Sequence, residues 1–217
     1  MWKYLVAMLI VLFGTVAVAQ ESGTVVLLVD TSSSISSEQM RLQIDSYASV
    51  LQSVASVRNK RVVPIVFNTN PQILSNGSYM DAVGAFLRFP IVGPPERGQT
   101  CLSAALFLVE QLLPTLPRPV VLDISGDGEA NCADSGTIPA TLDRIANNHG
   151  VQVNTLFIDN HLPNPASGFK GFEYYKSLTR KHGFIIEAKS FMDFELSLFE
   201  KLTMEISWLD TTNERTR

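Results

Sequence analysis

The chain is poor in cysteine, carries no excess of positive charge and contains no repeats. Two cysteines in 217 residues are too few to build a miniprotein held together by disulfides. Lys and Arg total 17 against 21 Asp and Glu, for a net charge of −4. That balance argues against a nucleic-acid partner, because a phosphate backbone calls for a basic face. Thirteen glycines and 11 prolines are ordinary usage, which excludes collagen-like and Pro/Gly-rich disordered classes. There is no low-complexity tract and no interior linker. Beyond residue 19, no segment approaches the roughly 18 uninterrupted apolar residues of a membrane helix. Common catalytic motifs are missing too. His149, His161 and His182 stand alone, none within a His-Glu-x-x-His motif. Ser125 follows Asp123-Ile124 rather than the glycine of a nucleophile elbow, and no phosphate loop ending in Gly-Lys occurs. Asp30 is followed by Thr31-Ser32, so the second carboxylate of an aspartate-nucleophile phosphatase is absent.

What is present is a globular composition, 46% hydrophobic and 18% charged, long enough for one sizeable core. The first 19 residues stand apart. Lys3 is followed by an apolar stretch from Tyr4 to Val16, then by Ala17-Val18-Ala19 and the polar flank Gln20-Glu21-Ser22-Gly23. This is the layout of a secretory signal peptide, and the stretch is short for a membrane span. An uncleaved anchor is the alternative reading. Cleavage would remove one cation, Lys3, and leave 16 basic against 21 acidic residues, a net charge of −5. The expected product is an exported, mildly acidic domain over residues 20–209, periplasmic or secreted, with a polar tail at 210–217 and no stable membrane insertion.

Within the domain, short apolar runs alternate with helical periodicity. Thr24 to Asp30 is apolar on both faces, as a central parallel strand should be. Ser36 and Gln39 form a capping-box pair ahead of Met40, Ile44, Tyr47, Ala48, Leu51, Val54 and Ala55 at helical spacing. Val62 to Phe67 is a strand in which Pro64 disfavours a fully central position. Gln72 to Ser75 is expected to be a short antiparallel edge strand and Asp81 to Phe89 a short helix. Further helices are expected over Thr100 to Leu113, Pro139 to Asn148 and Phe172 to Lys181, and a last one carries Phe194, Leu198, Leu202 and Ile206. Strands are expected over Pro119 to Ile124, Val151 to Ile158 and Phe184 to Ala188. The alternation predicts an α/β fold with a doubly wound, mostly parallel sheet and helices on both faces.

In such a sheet ligands bind beyond the carboxyl ends of the strands, and there the sequence concentrates oxygen donors. The first strand ends in Asp30-Thr31-Ser32-Ser33-Ser34, whose alternate residues Asp30, Ser32 and Ser34 can aim at one point. A carboxylate with two hydroxyls suits a hard cation such as Mg²⁺; a serine-rich loop feeding a helix cap is the plainer reading. Ser125-Gly126-Asp127-Gly128 follows another apolar run, with glycines that permit a sharp turn beside a bound ion. Thr100 opens the third segment, where a threonine could equally be an N-cap.

Asp30-x-Ser32-x-Ser34, a lone Thr100 before a helix, and Asp127-Gly128 after a hydrophobic strand together resemble the von Willebrand factor type A (vWA) domain. In that family these pieces form the metal-ion-dependent adhesion site, the MIDAS. The resemblance spans about Thr24 to Trp208. Leu122 to Gly128 with Asn131, and Glu200 to Ile206, are further similar to a group of short exported bacterial vWA proteins of unknown function. It implies that Ser32 and Ser34 bind the cation through hydroxyls, Thr100 directly or through water, and Asp30 and Asp127 largely through ordered waters. The ion would be Mg²⁺ or another divalent cation such as Mn²⁺ or Ca²⁺, with one position open to a carboxylate from a protein partner. Two departures stand out: Gly126 replaces the threonine most relatives carry before the aspartate, and Cys101 follows Thr100.

Three other readings compete. Asp123, Ser125, Asp127, Gly128, Asn131 and Asp134 match the spacing of a calcium loop, but the preceding run is a strand rather than a helix. Asp123 is then expected in a salt bridge or hydrogen bond at the sheet edge. A Mg²⁺-dependent hydrolase could use the same carboxylates, and a purely structural metal is the remaining option. Cys101 and Cys132 each adjoin a metal loop and could pair in an oxidising compartment; two independent core thiols are the alternative.

Overall fold

The computed structural model describes residues 21–93, 97–159 and 171–215. The expected signal segment and His161 lie outside them.

β1 (Thr24–Asp30) is fully buried along its length, consistent with apolar side chains on both faces. A parallel strand pairs with it on each side: β2 (Arg61–Phe67) and β5 (Val120–Gly126). With β3 (Gln72–Ile73), β6 (Gln152–Ile158) and β7 (Ile185–Ala188), the order is β3-β2-β1-β5-β6-β7, and β4 (Gly77–Ser78) also pairs with β2. β3 and β4 are the antiparallel members. They meet β2 at Ile65–Val66 and at Arg61–Val62, so Pro64, which has no N–H to give, falls in the gap between them.

Helices cover both faces. α1 (Ser37–Ser53), α2 (Tyr79–Leu87) and α6 (Phe194–Arg215) bury Tyr47, Leu51, Phe86, Leu198 and Leu202 against Val25, Leu27 and Val29. On the opposite face α3 (Leu102–Leu112), α4 (Ile138–His149) and α5 (Gly171–Leu178) pack Leu106, Val109, Leu142 and Ile145 against Val26, Leu28 and Leu122. Each such buried side chain contributes about 1.5–3 kcal/mol relative to exposure. The Ser36 capping box opens α1 as the sequence predicts, and Gly150 closes α4 with φ +67°.

Several helix ends differ from expectation: α2 is shifted by two residues, α3 begins at Leu102 rather than Thr100, and α5 and α6 depart further. α5 stops at Leu178 rather than Lys181, because the backbone of Arg180 exchanges hydrogen bonds with Val153 (3.1 and 3.2 Å). A side chain at Gly183 would meet the Val153 carbonyl at 1.9 Å, so that glycine serves a close approach and not simply a stop. α6 continues to Arg215, which makes residues 210–215 helical where a polar tail was expected. Lys60, buried at its tip, holds Asp210 at 2.5 Å and fixes that last stretch against the domain. Among the described residues no helix is long and apolar enough to cross a membrane.

Candidate metal centre

β1 and β5 are neighbours whose chain connections leave in opposite directions, so a crevice opens between their carboxyl ends. Asp30 ends β1 and Asp127 directly follows β5. The strand ends are clamped from α1: Gln43 Nε2 donates to the Asp30 carbonyl at 2.9 Å, and Tyr47 Oη lies 2.7 Å from Ser125 Oγ.

Past Asp30 the loop turns back on itself. Ser32 N–H donates to Asp30 Oδ1 at 2.8 Å, Ser32 Oγ lies 3.0 Å from Ser34 Oγ, and Ser34 Oγ donates to Asp127 Oδ1 at 2.8 Å. Four of the five expected ligands therefore form one connected set across two loops. Asp30, Ser32 and Asp127 are buried, while Ser34 faces solvent. Thr100 joins through its backbone: its N–H donates to Asn131 Oδ1 at 3.0 Å, and its carbonyl accepts the Asn131 N–H at 3.2 Å. The N-cap position of α3 belongs to Cys101 and no side chain caps that helix, so Thr100 is not the cap.

Two acids at close quarters perturb each other. Burial first, and then the charge of Asp127, push the Asp30 carboxyl up to about 8. Asp30 Oδ2 is buried without a hydrogen-bond partner, a costly state for a carboxylate. The donor set consists of two carboxylates and three hydroxyls, all hard oxygens, and a divalent cation of the Mg²⁺ type matches it. Among the described residues no three His, Cys, Asp or Glu side chains gather as a metal cluster.

Arg97 escaped the sequence analysis. Its side chain is buried beside the site, donates to the Ile35 carbonyl, and its positive charge faces Asp30 and Asp127. A lone arginine close to Thr100 was the only available signal. Tyr175 escaped as well. Burial, then the charges of Asp30 and Asp127, hold its phenol well above the ordinary range, and its Oη donates to the Gly128 carbonyl at 3.2 Å. Alongside lies a cleft of about 430 Å³ lined by Glu129, Ala130, Ile138, Tyr174 and Leu178 among others.

The calcium-loop spacing does not correspond to a site. Asp123 lies in β5 with its carboxylate 2.6 Å from Lys201 Nζ, and Asp134 accepts from Ser103 Oγ at 2.6 Å. The expected salt bridge of Asp123 is present, but at the centre of the sheet rather than at its edge, because β6 lies beyond β5. Cys101 and Cys132 form a disulfide with their Cα atoms 5.2 Å apart.

The fold is shared with solved vWA structures. Proximal thread matrix protein 1 from the mussel byssus superposes with a TM-score of 0.65 at 16% identity, over 87% of this chain and 48% of that one. A form of that mussel protein with a zinc-occupied MIDAS motif gives 0.63 at 15% identity, again over 87% and 48%. BatB from Bacteroides thetaiotaomicron gives 0.57 at 14% identity over 87% of this chain and 98% of its own. The chain thus spans about half the length of the mussel protein. No curated protein matches in sequence. A family model described as "Protein of unknown function (DUF1194)" matches residues 92–210. With that match extending over more than half of its length, and with a vWA fold, the chain belongs to the DUF1194 family.

Proposed function

We propose that this chain is an exported, adhesion-type binding module that captures an acidic group of a protein partner through a divalent cation at Asp30, Ser32, Ser34, Thr100 and Asp127. The observation that carries the reading is the connected row Asp127–Ser34–Ser32 above the buried, unpartnered Oδ2 of Asp30. Ser32 and Ser34 would hold the ion through their hydroxyls, Thr100 directly or through water, and the two aspartates through ordered water. When bound, the cation supplies an electrophilic position that a partner carboxylate can fill. The remaining work falls to the chain: α1 fixes the β1 end through Gln43, Asn131 aligns the Thr100 segment, and Arg97 offsets the two acids. The zinc-occupied MIDAS motif of the mussel protein supports a cation at this kind of site, and Mg²⁺ is the ion proposed here. Export is supported by the first 19 residues.

Neither of the two described histidines stands at the site as a general base. His149 ends α4 and His182 precedes β7, which puts both at the amino-terminal edge of the sheet, away from the crevice. The reading is tested by capture from an extracellular extract. Association that needs Mg²⁺ and disappears both in excess chelator and with Asp127→Ala, in a variant that keeps its circular dichroism, is the expected result. Capture that persists in chelator, or turnover of a substrate panel by the purified chain, would overturn it.

A further inference from the structure

The Cys101–Cys132 disulfide joins the two segments that supply Thr100 and Asp127. Cys101 directly follows Thr100, and Cys132 directly follows Asn131, whose amide group and backbone N–H grip the Thr100 peptide from both sides at 3.0 and 3.2 Å. Cys132 Sγ lies 3.7 Å from Gln99 Oε1 on the other side of the same threonine. The other ties here are single hydrogen bonds, among them Ser33 N–H to the Gly98 carbonyl (3.1 Å), Gln99 N–H to Thr69 Oγ1 (2.9 Å), Cys101 N–H to the Asn68 carbonyl (3.2 Å) and, from the first turn of α3, Ser103 Oγ to Asp134 Oδ1 (2.6 Å). The disulfide is thus the covalent member of a brace built around one proposed ligand. The elements between the two cysteines, α3 and β5, are held independently by the apolar cluster on their face of the sheet.

We infer that this bond is a redox control on the cation site: the oxidised chain holds Thr100 in place for the ion, and the reduced chain releases it. The inference rests on the cation reading above. Reduction by a dithiol breaks one S–S bond; two electrons and two protons pass to the protein as two thiols while the dithiol closes to its own disulfide. Loss of the cross-link restores freedom to the Thr100 segment, and that freedom must be given up again when an ion binds. Coupling of this kind typically amounts to a factor of about 5 to 150 in affinity and is reciprocal. Mg²⁺ should therefore protect the bond from reduction by the same factor by which reduction weakens Mg²⁺ binding.

The test is Mg²⁺ titration calorimetry on the full chain, oxidised and after reduction with excess dithiol, with a Cys101→Ser/Cys132→Ser variant in parallel and circular dichroism on each. The expected result is a dissociation constant raised about 5- to 150-fold in both the reduced chain and the variant, with the fold retained. Equal affinity in the oxidised and reduced chains would overturn the inference and leave the cation reading intact. A reduced chain that loses its fold would also overturn it, since the bond would then hold the whole domain. Absence of Mg²⁺ binding by the oxidised chain would instead remove the cation reading itself.

Discussion

Gly126 sits where a side chain has no room. A Cβ built there would meet Tyr175 Oη at 2.3 Å, Asp30 Cβ at 2.8 Å and Asp30 Oδ2 at 2.9 Å. The phenol of Tyr175 occupies the space that a side chain at position 126 would use. Gly126→Ala should therefore cost about 1–3 kcal/mol through overpacking, read by urea denaturation. Adding Tyr175→Phe should recover part of that loss and not all, because the contact with Asp30 remains. Full tolerance of the alanine would show that the crowding is not real. The departure at Gly126 was visible in the sequence, but its cause was not, since Tyr175 lies 49 positions further along the chain. The same limit hid Arg97. By contrast, Asp30, Ser32, Ser34 and Asp127 could be singled out because they lie at or just beyond the ends of two apolar strands, and strand ends define where such sheets bind.

At the level of elements, α6 is fastened to the middle of the sheet by charge. Lys201 and Glu205, one turn apart, meet Asp123 of β5 and Asn154 of β6: Lys201 Nζ lies 2.6 Å from Asp123 and 2.5 Å from Glu205, and Asn154 Nδ2 donates to Glu205 at 3.0 Å. All four side chains are buried. Removing the only cation of this group by Lys201→Met should destabilise the domain by about 3–5 kcal/mol, because two buried carboxyl groups would lose their counter-charge and Glu205 would keep only its hydrogen bond from Asn154. Burial, opposed by Lys201 and aided by Asp123, raises Glu205 from 4.5 to about 7. The folded state then binds its proton more tightly than the unfolded state does. The contribution of that proton to stability is fully present below pH 4.5 and fades as the pH rises through about 7. Denaturation in chelator at about pH 5 and about pH 8 should show a larger loss for the natural chain than for Glu205→Gln; equal losses would contradict the assignment. Helical periodicity revealed the apolar stripe of α6 but not this polar group. The partners of Lys201 and Glu205 emerge only when β5 and β6 place an aspartate and an asparagine opposite them. The extents of α5 and α6 were missed for a related reason: backbone partners in β6 end α5 early, and Lys60 holds Asp210 of α6 against the domain.

For the molecule as a whole, the order of strands was beyond the sequence, whereas the alternation of strand and helix, and hence the doubly wound class, was not. The order matters because it sets β1 beside β5 and so brings three loops, distant in sequence, around one crevice. A cation bound there favours the folded state only, so saturating Mg²⁺ should stabilise the domain by about 2.7 kcal/mol at a hundred times its dissociation constant. Thermal denaturation with and without chelator reads that shift, and Ser34→Ala should remove most of it. The most direct measurement is a crystal structure of the oxidised chain grown in Mg²⁺. The expected result is a single ion in the crevice with the hydroxyl oxygens of Ser32 and Ser34 at about 2.0–2.1 Å. An empty crevice in which Ser34 still bonds Asp127, at a Mg²⁺ concentration that saturates other such sites, would contradict it.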